Sequence, residues 1–151
     1  MGAILEKLLE KLIGILTGVM VLLLIAQVTT RYIFQGSMYW AGEMATWVFV
    51  WITFLGTALL YRQKGHTIVD LVDYVFPEQV RKGLEVFVNI VVAVFLGVLF
   101  YYALPVVKSY SNQYATSIHL SRGLMFLPLP VSIVFIFLFM LDSILQKIGV
   151  K

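Results

Sequence analysis

Two histidines, His66 and His119, are the only imidazoles in this chain, and none of its 151 residues is cysteine. Without thiols there is no disulfide scaffold, thiolate metal site or thiol redox relay. A membrane haem would need axial ligands at bilayer depth, and a nucleophilic serine would need a base beside it. Both histidines fall instead in connections between long apolar runs, on opposite sides of the bilayer, so no single cofactor can use the two. No Gly-rich phosphate loop and no HExxH pattern appears. The sequence therefore predicts no catalytic, cofactor-binding or metal-binding residue, and the chain is not read as an enzyme.

The chemically informative side chains lie at the edges of the apolar runs. Glu43 follows Trp40 at the start of one run, where a carboxylate either favours the positive end of a helix or pairs with Arg31 across a short turn. Arg62, His66 and Asp70 follow i, i+4 spacing at the far end of that run. They form either a local polar ladder that fixes an inter-helix angle or three separately solvated headgroup-level residues. Trp40 fits an interfacial aromatic belt, whereas Trp47 and Trp51 reach deeper, against lipid or a partner helix.

The composition says what must hold these residues. The chain is 61% hydrophobic and 13% charged, with a mean hydropathy of +0.95. A soluble domain is about half apolar and about a quarter charged, and a domain this small could not hide the excess in a core. The solvent is lipid. A net charge of +3 without basic clusters argues against nucleic acid.

Four uncharged stretches, Leu12–Thr30, Met44–Tyr61, Val86–Val107 and Gly123–Leu141, approach or exceed the ~18 residues of a spanning helix. They lack the strict alternation of barrel strands, and backbone groups in hydrocarbon must pair internally. The expected fold is an all-α membrane protein, one domain over 1–151, with spans at about 12–33, 43–62, 84–107 and 123–145. The first run has charge-balanced flanks and no small-x-small cleavage site, so it reads as a retained helix rather than a signal peptide.

Four spans put both termini on one side. That side holds eight cations (Lys7, Lys11, Arg62, Lys64, Arg81, Lys82, Lys147 and Lys151) against three opposite (Arg31, Lys108 and Arg122). The positive-inside rule makes the termini cytoplasmic. Between the second and third spans, Ile68, Leu71, Val72, Val75 and Phe76 form an apolar stripe that predicts a short amphipathic helix over 67–76 in the cytoplasmic interface. The residues before Leu12 carry a similar stripe and either lie along the interface or continue the first span. Gly14 and Gly18 have the spacing of a close-packing site. The polar residues within the runs, among them Thr17, Gln27, Thr46, Thr53, Thr57 and Ser132, are expected to bond helix carbonyls or neighbouring helices. No run carries the buried charge expected of a self-sufficient ion-coupled carrier.

The ordered set Arg31-Tyr32-Ile33-Phe34, Trp40-Ala41-Gly42-Glu43, Trp51-Ile52-Thr53-Phe54-Leu55-Gly56 and Arg62-x-x-x-His66-x-x-x-Asp70 resembles the small, DctQ-type membrane subunit of tripartite ATP-independent periplasmic (TRAP) transporters. The resemblance spans nearly the whole chain and is looser over Ser121–Pro128. It implies a bacterial inner-membrane scaffold subunit without cofactors. Its partners would be a large elevator-type membrane subunit that uses a sodium gradient, a periplasmic substrate-binding protein, and lipid. The cargo implied is an organic acid such as a dicarboxylate or sialic acid. Arg31, Trp40, Glu43, Trp47, Trp51, Arg62, His66 and Asp70 become structural and interface candidates, and Gln35, Lys108, Asn112 and Arg122 candidates for docking the periplasmic protein. Two other readings stand beside it. One is a small multidrug-type proton-coupled exporter using Glu43, and the other an accessory subunit of a different membrane complex.

Overall fold

A computed structural model describes residues 2–33, 36, 38–64 and 78–148. The segment predicted as an interfacial helix, 67–76, lies outside the described residues, as do Gln35, His66 and Asp70. The regular elements of the described chain are all helices: α1 (Gly2–Ile33), α2 (Tyr39–Lys64), α3 (Glu78–Tyr110), the single turn α4 (Gly123–Phe126) and α5 (Pro128–Ile148). Four stretches, Ile4–Ile33, Tyr39–Gln63, Phe87–Tyr110 and Gly123–Ile144, are long and apolar enough to cross a membrane. The only extended pairing among the described residues is one antiparallel bridge, Tyr114 to Ser121.

The amphipathic N-terminal residues continue the first span, making α1 a single helix of 32 residues. At 1.5 Å per residue it is about 48 Å long, well beyond a hydrocarbon core of about 30 Å. Its charged first turns, with Glu6, Lys7, Glu10 and Lys11, therefore project past the apolar zone. α3 is equally long and carries Pro105 without interruption. A proline within a helix removes one backbone donor and leaves the carbonyl four residues earlier, that of Tyr101, without its usual partner.

The fourth span is made of two pieces because of its prolines. Leu127 keeps right-handed helical angles, φ −57° and ψ −35°. Its N–H donates to the Gly123 carbonyl at 3.1 Å, and its own carbonyl accepts from Val131 N–H at 3.2 Å. Pro128 and Pro130 cannot donate, so the ladder has gaps there while the chain keeps its course.

α1 and α2 form an antiparallel pair along their length, and α5 closes against α2 as the third member. The core cluster is Leu9, Leu55 and Phe139, one residue from each, with Leu5, Ile13, Trp51, Leu59 and Phe135 packed around it. Ala41, Ala45 and Ala58 of α2 are buried, and residues this small let helix backbones approach closely in lipid, where packing rather than water drives association. α3 stands to one side. It packs on α4 and α5, and none of its Cα atoms comes within 8 Å of α1 or α2. Much of α1 and α3 is left uncovered by the chain, including Ile15, Leu22, Ile25, Phe87, Val94, Phe95 and Tyr101.

Candidate functional site

The polar chemistry concentrates at the two ends of the bundle. At the end that holds the beginning of α1, Arg62 near the close of α2 makes two ion pairs. Its Nε lies 3.5 Å from Glu6 Oε2 of α1, and its Nη2 lies 3.1 Å from Asp142 Oδ2 of α5. The guanidinium carbon is also 5.8 Å from the ring centroid of Phe139, a residue only 1% exposed. Gln63 Nε2 donates to Glu10 Oε1 at 3.0 Å, a second tie between α2 and α1. A Cβ at Gly2 would collide with the Asp142 carboxylate and approach Arg62, so the absence of a side chain there lets the start of α1 close over the ion pair. His66 and Asp70, at i, i+4 spacing from Arg62, lie outside the described residues. The partners observed come from two other helices.

At the distal end, where α1 finishes and α2 begins, Glu43 is turned towards the connection between α3 and α4 rather than towards Arg31. Its Oε2 accepts from Ser117 N–H at 2.9 Å and its Oε1 from Thr116 N–H at 3.3 Å. The connection is knotted further by its own bonds. Ala115 N–H donates to Leu120 O at 2.9 Å and Arg122 N–H to Gln113 O at 2.7 Å. Ser121 Oγ donates to Ser111 O at 2.6 Å. Gly123 fits where α4 meets the end of α3, because a Cβ there would lie 3.0 Å from Ser111 Cα and 3.1 Å from Val107 O. The outcome is an ordered distal cap held to α2 by one carboxylate.

Arg31 and Lys108 occupy the last turns of α1 and α3, where a cation complements the negative end of the helix dipole. Asn112 is exposed in the turn after α3. The tryptophans divide as follows: Trp40 is 43% exposed at the start of α2, Trp47 is 7% exposed, and Trp51 packs on the Leu9–Leu55–Phe139 core. Both deeper tryptophans thus turn towards helices of this chain. Beside Trp47 is a cleft of about 320 Å³, bounded by Glu43 on α2, Tyr110 at the end of α3, and Arg122, Met125 and Phe126 around α4.

Between these ends the hydroxyls satisfy themselves. Thr17, Thr46, Thr53 and Thr57 each donate to the carbonyl four residues earlier, at 2.8–3.0 Å, and Ser132 donates to Leu129 O at 2.8 Å. Gln27 reaches from α1 to α2, where a Cβ on Gly42 would come within 2.7 Å of its Nε2. Gly14 and Gly18 have nothing within 4 Å of a Cβ, so their spacing serves no contact inside the described chain. No group of three or more His, Cys, Asp or Glu among the described residues could hold a metal ion.

Sequence reasoning missed Glu6, Asp142, Gln63 and Gly2. The available signal was Asp142, the acid that ends the fourth uncharged stretch on the same side as Arg62.

These features define a multi-pass membrane protein whose charges join helices at their ends. The chain belongs to the family of DctQ components of tripartite ATP-independent periplasmic transporters, whose family model matches residues 20–149. Members of this family are transport components and not enzymes. The chain is 29% identical over 126 residues to the sialic acid TRAP transporter permease protein SiaT of Haemophilus influenzae, a match covering 83% of this chain and 20% of that protein. Over 142 residues it is 26% identical to a protein from another strain of that species, provisionally named a TRAP transporter small permease, with 94% and 86% covered. It is 31% identical over 81 residues to the C4-dicarboxylate TRAP transporter small permease protein DctQ of Vibrio cholerae, with 54% and 35% covered. The chain thus spans a fifth of SiaT and about a third of the Vibrio protein, but most of the second relative.

Proposed function

We propose that this chain is the fixed scaffold partner in a sodium-coupled uptake system for organic acids, seated in the bacterial inner membrane with both termini cytoplasmic. It packs against a large, elevator-type membrane subunit and presents its distal cap to a periplasmic substrate-binding protein. The observation that carries this reading is the distribution of charge. Arg62 joins three helices at one end, Glu43 fixes a connection at the other, and the hydroxyls between them bond their own helices. A moving carrier domain needs a stationary frame to move against, and a bundle tied at both ends is suited to that.

The distal charges support the orientation and the docking role. Glu43 is the only acid among the residues assigned to that side, which also carries three cations, Arg31, Lys108 and Arg122. The exposed distal surface is therefore cationic, suited to an acidic face on a soluble partner. Sialic acid and C4-dicarboxylates, the classes in the relatives' names, are the cargo classes to try first. The exporter reading, which needs a carboxylate at membrane depth, is disfavoured by the place of Glu43, whose carboxylate holds the connection between α3 and α4 at the distal end of the bundle.

Co-purification tests the assembly. The tagged chain, solubilised in mild detergent, should retain a large multi-span subunit. The immobilised pair should then bind the periplasmic protein more weakly as salt rises. A chain that elutes alone after native-level co-expression contradicts the scaffold reading.

A further inference from the structure

The distal cleft has the form of a lipid site. We propose that it binds one glycerophospholipid with an amine headgroup, the phosphate on Arg122 and the ammonium beside Glu43. Four observations lead there. The cleft, about 320 Å³, has one carboxylate and one guanidinium on its walls, with Trp47, Tyr110, Met125 and Phe126 supplying apolar surface. That volume is at the low end of the ~300–1,000 Å³ of small-ligand pockets, enough for a headgroup and the glycerol region but not for whole acyl chains. Arg122 acts on Glu43 by its charge, but its side chain makes no hydrogen bond or close ion pair with any described residue, so its planar fork of donors can take a phosphate. Each Glu43 oxygen accepts one amide and the Ser117 hydroxyl adds a further bond, which leaves room for one donor more among the roughly four acceptor sites of a carboxylate.

The fourth observation selects lipid over a protein side chain. α2 and α3 both pack on α4 and α5, but their Cα atoms nowhere come within 8 Å of each other. The cleft is therefore a gap between two spanning helices, roofed by α4 through the Tyr110–Phe126 ring contact at 4.6 Å. A gap between two spanning helices adjoins the membrane, and its walls carry both charged and aromatic side chains, which suit the headgroup and the apolar part of a phospholipid. The site is independent of the scaffold reading, because it is formed by this chain alone.

The test uses the full chain in vesicles of phosphatidylethanolamine and phosphatidylglycerol. A trace of phosphatidylethanolamine carries a diazirine near the glycerol, and adducts are mapped by mass spectrometry. Adducts at Trp47 and Met125 should exceed those at Leu22 and Ile25, exposed on α1, by about tenfold, the scale of one hydrogen bond to a charged group. Arg122→Gln, and Thr46→Trp, which fills the cleft from the neighbouring wall, should each reduce cleft adducts to the α1 level. Leu22 labelling should stay constant as the control for folding. A diazirine phosphatidylglycerol should label the cleft several-fold less. Cleft labelling equal to that of α1, labelling unchanged in both variants, or equal labelling by the two headgroups would each overturn the proposal. So would loss of the adducts on adding the large subunit, which would assign the cleft to a protein side chain.

Discussion

Arg62 Nη2 lies 3.1 Å from Asp142 Oδ2, joining the close of the second span to the close of the fourth. The same guanidinium pairs with Glu6 through Nε, so one cation ties three helices together. The side chains are only 15–27% exposed, which makes these pairs more than surface decoration. Removing the cation leaves two carboxylates facing each other with little water. Arg62→Gln should destabilise the bundle by about 1–3 kcal/mol, the range for a charged hydrogen-bonding group left unmatched. Arg62→Lys should cost less, because an ammonium keeps the charge but loses the fork. Thermal unfolding in detergent reads both. In the Arg62→Gln/Asp142→Asn pair the losses should be less than additive, as expected of contacting residues.

Glu43 predicts a local effect. Glu43→Gln keeps the shape but loses the charge, and its amide has one acceptor oxygen where the carboxylate has two. Hydrogen exchange at the Thr116 and Ser117 amides should rise by about tenfold, while exchange in the middle of α2 is unchanged. Unaltered exchange at both amides would mean that the cap is held by its own bonds alone.

The glycines separate two environments. Gly123→Ala places a methyl against backbone atoms of Val107 and Ser111, which cannot yield as a side-chain end can. It should cost about 1–3 kcal/mol, as overpacking does. Gly14→Ala and Gly18→Ala enter open space. They should be neutral or stabilising by up to about 1 kcal/mol, since alanine is the better helix former. Unfolding of the three variants side by side checks the contrast.

Much of this architecture was legible in the sequence, for a physical reason. Hydrocarbon demands about twenty apolar residues per helix, and that demand is written continuously along the chain. Pro128 and Pro130 mark the start of α5, the longer piece of the last span. The ties between helices were not legible. The spacing of Arg62, His66 and Asp70 reports neighbours along one helix, whereas Glu6 and Asp142 reach Arg62 only through packing. Glu43 stood out in the sequence as an edge carboxylate, but the partners it has in the structure are backbone N–H groups, which every residue except proline possesses and no motif announces.

The span hydroxyls give a negative control. Thr53→Val and Thr57→Val remove groups that bond only their own helix, to Phe49 O and Thr53 O. Each should change stability by less than about 0.6 kcal/mol, the mean for bonds between helices in lipid, and leave uptake by the assembled system unchanged. A large fall in uptake at constant stability would place these threonines on a transport path.

Uptake in proteoliposomes tests the central claim most directly. The large subunit would be reconstituted with its binding protein, with and without this chain, and accumulation of a labelled organic acid measured under an inward sodium gradient. The account predicts strong uptake only when this chain is present, with Arg62→Gln reducing it in step with loss of the bundle. Full uptake without the chain would contradict it.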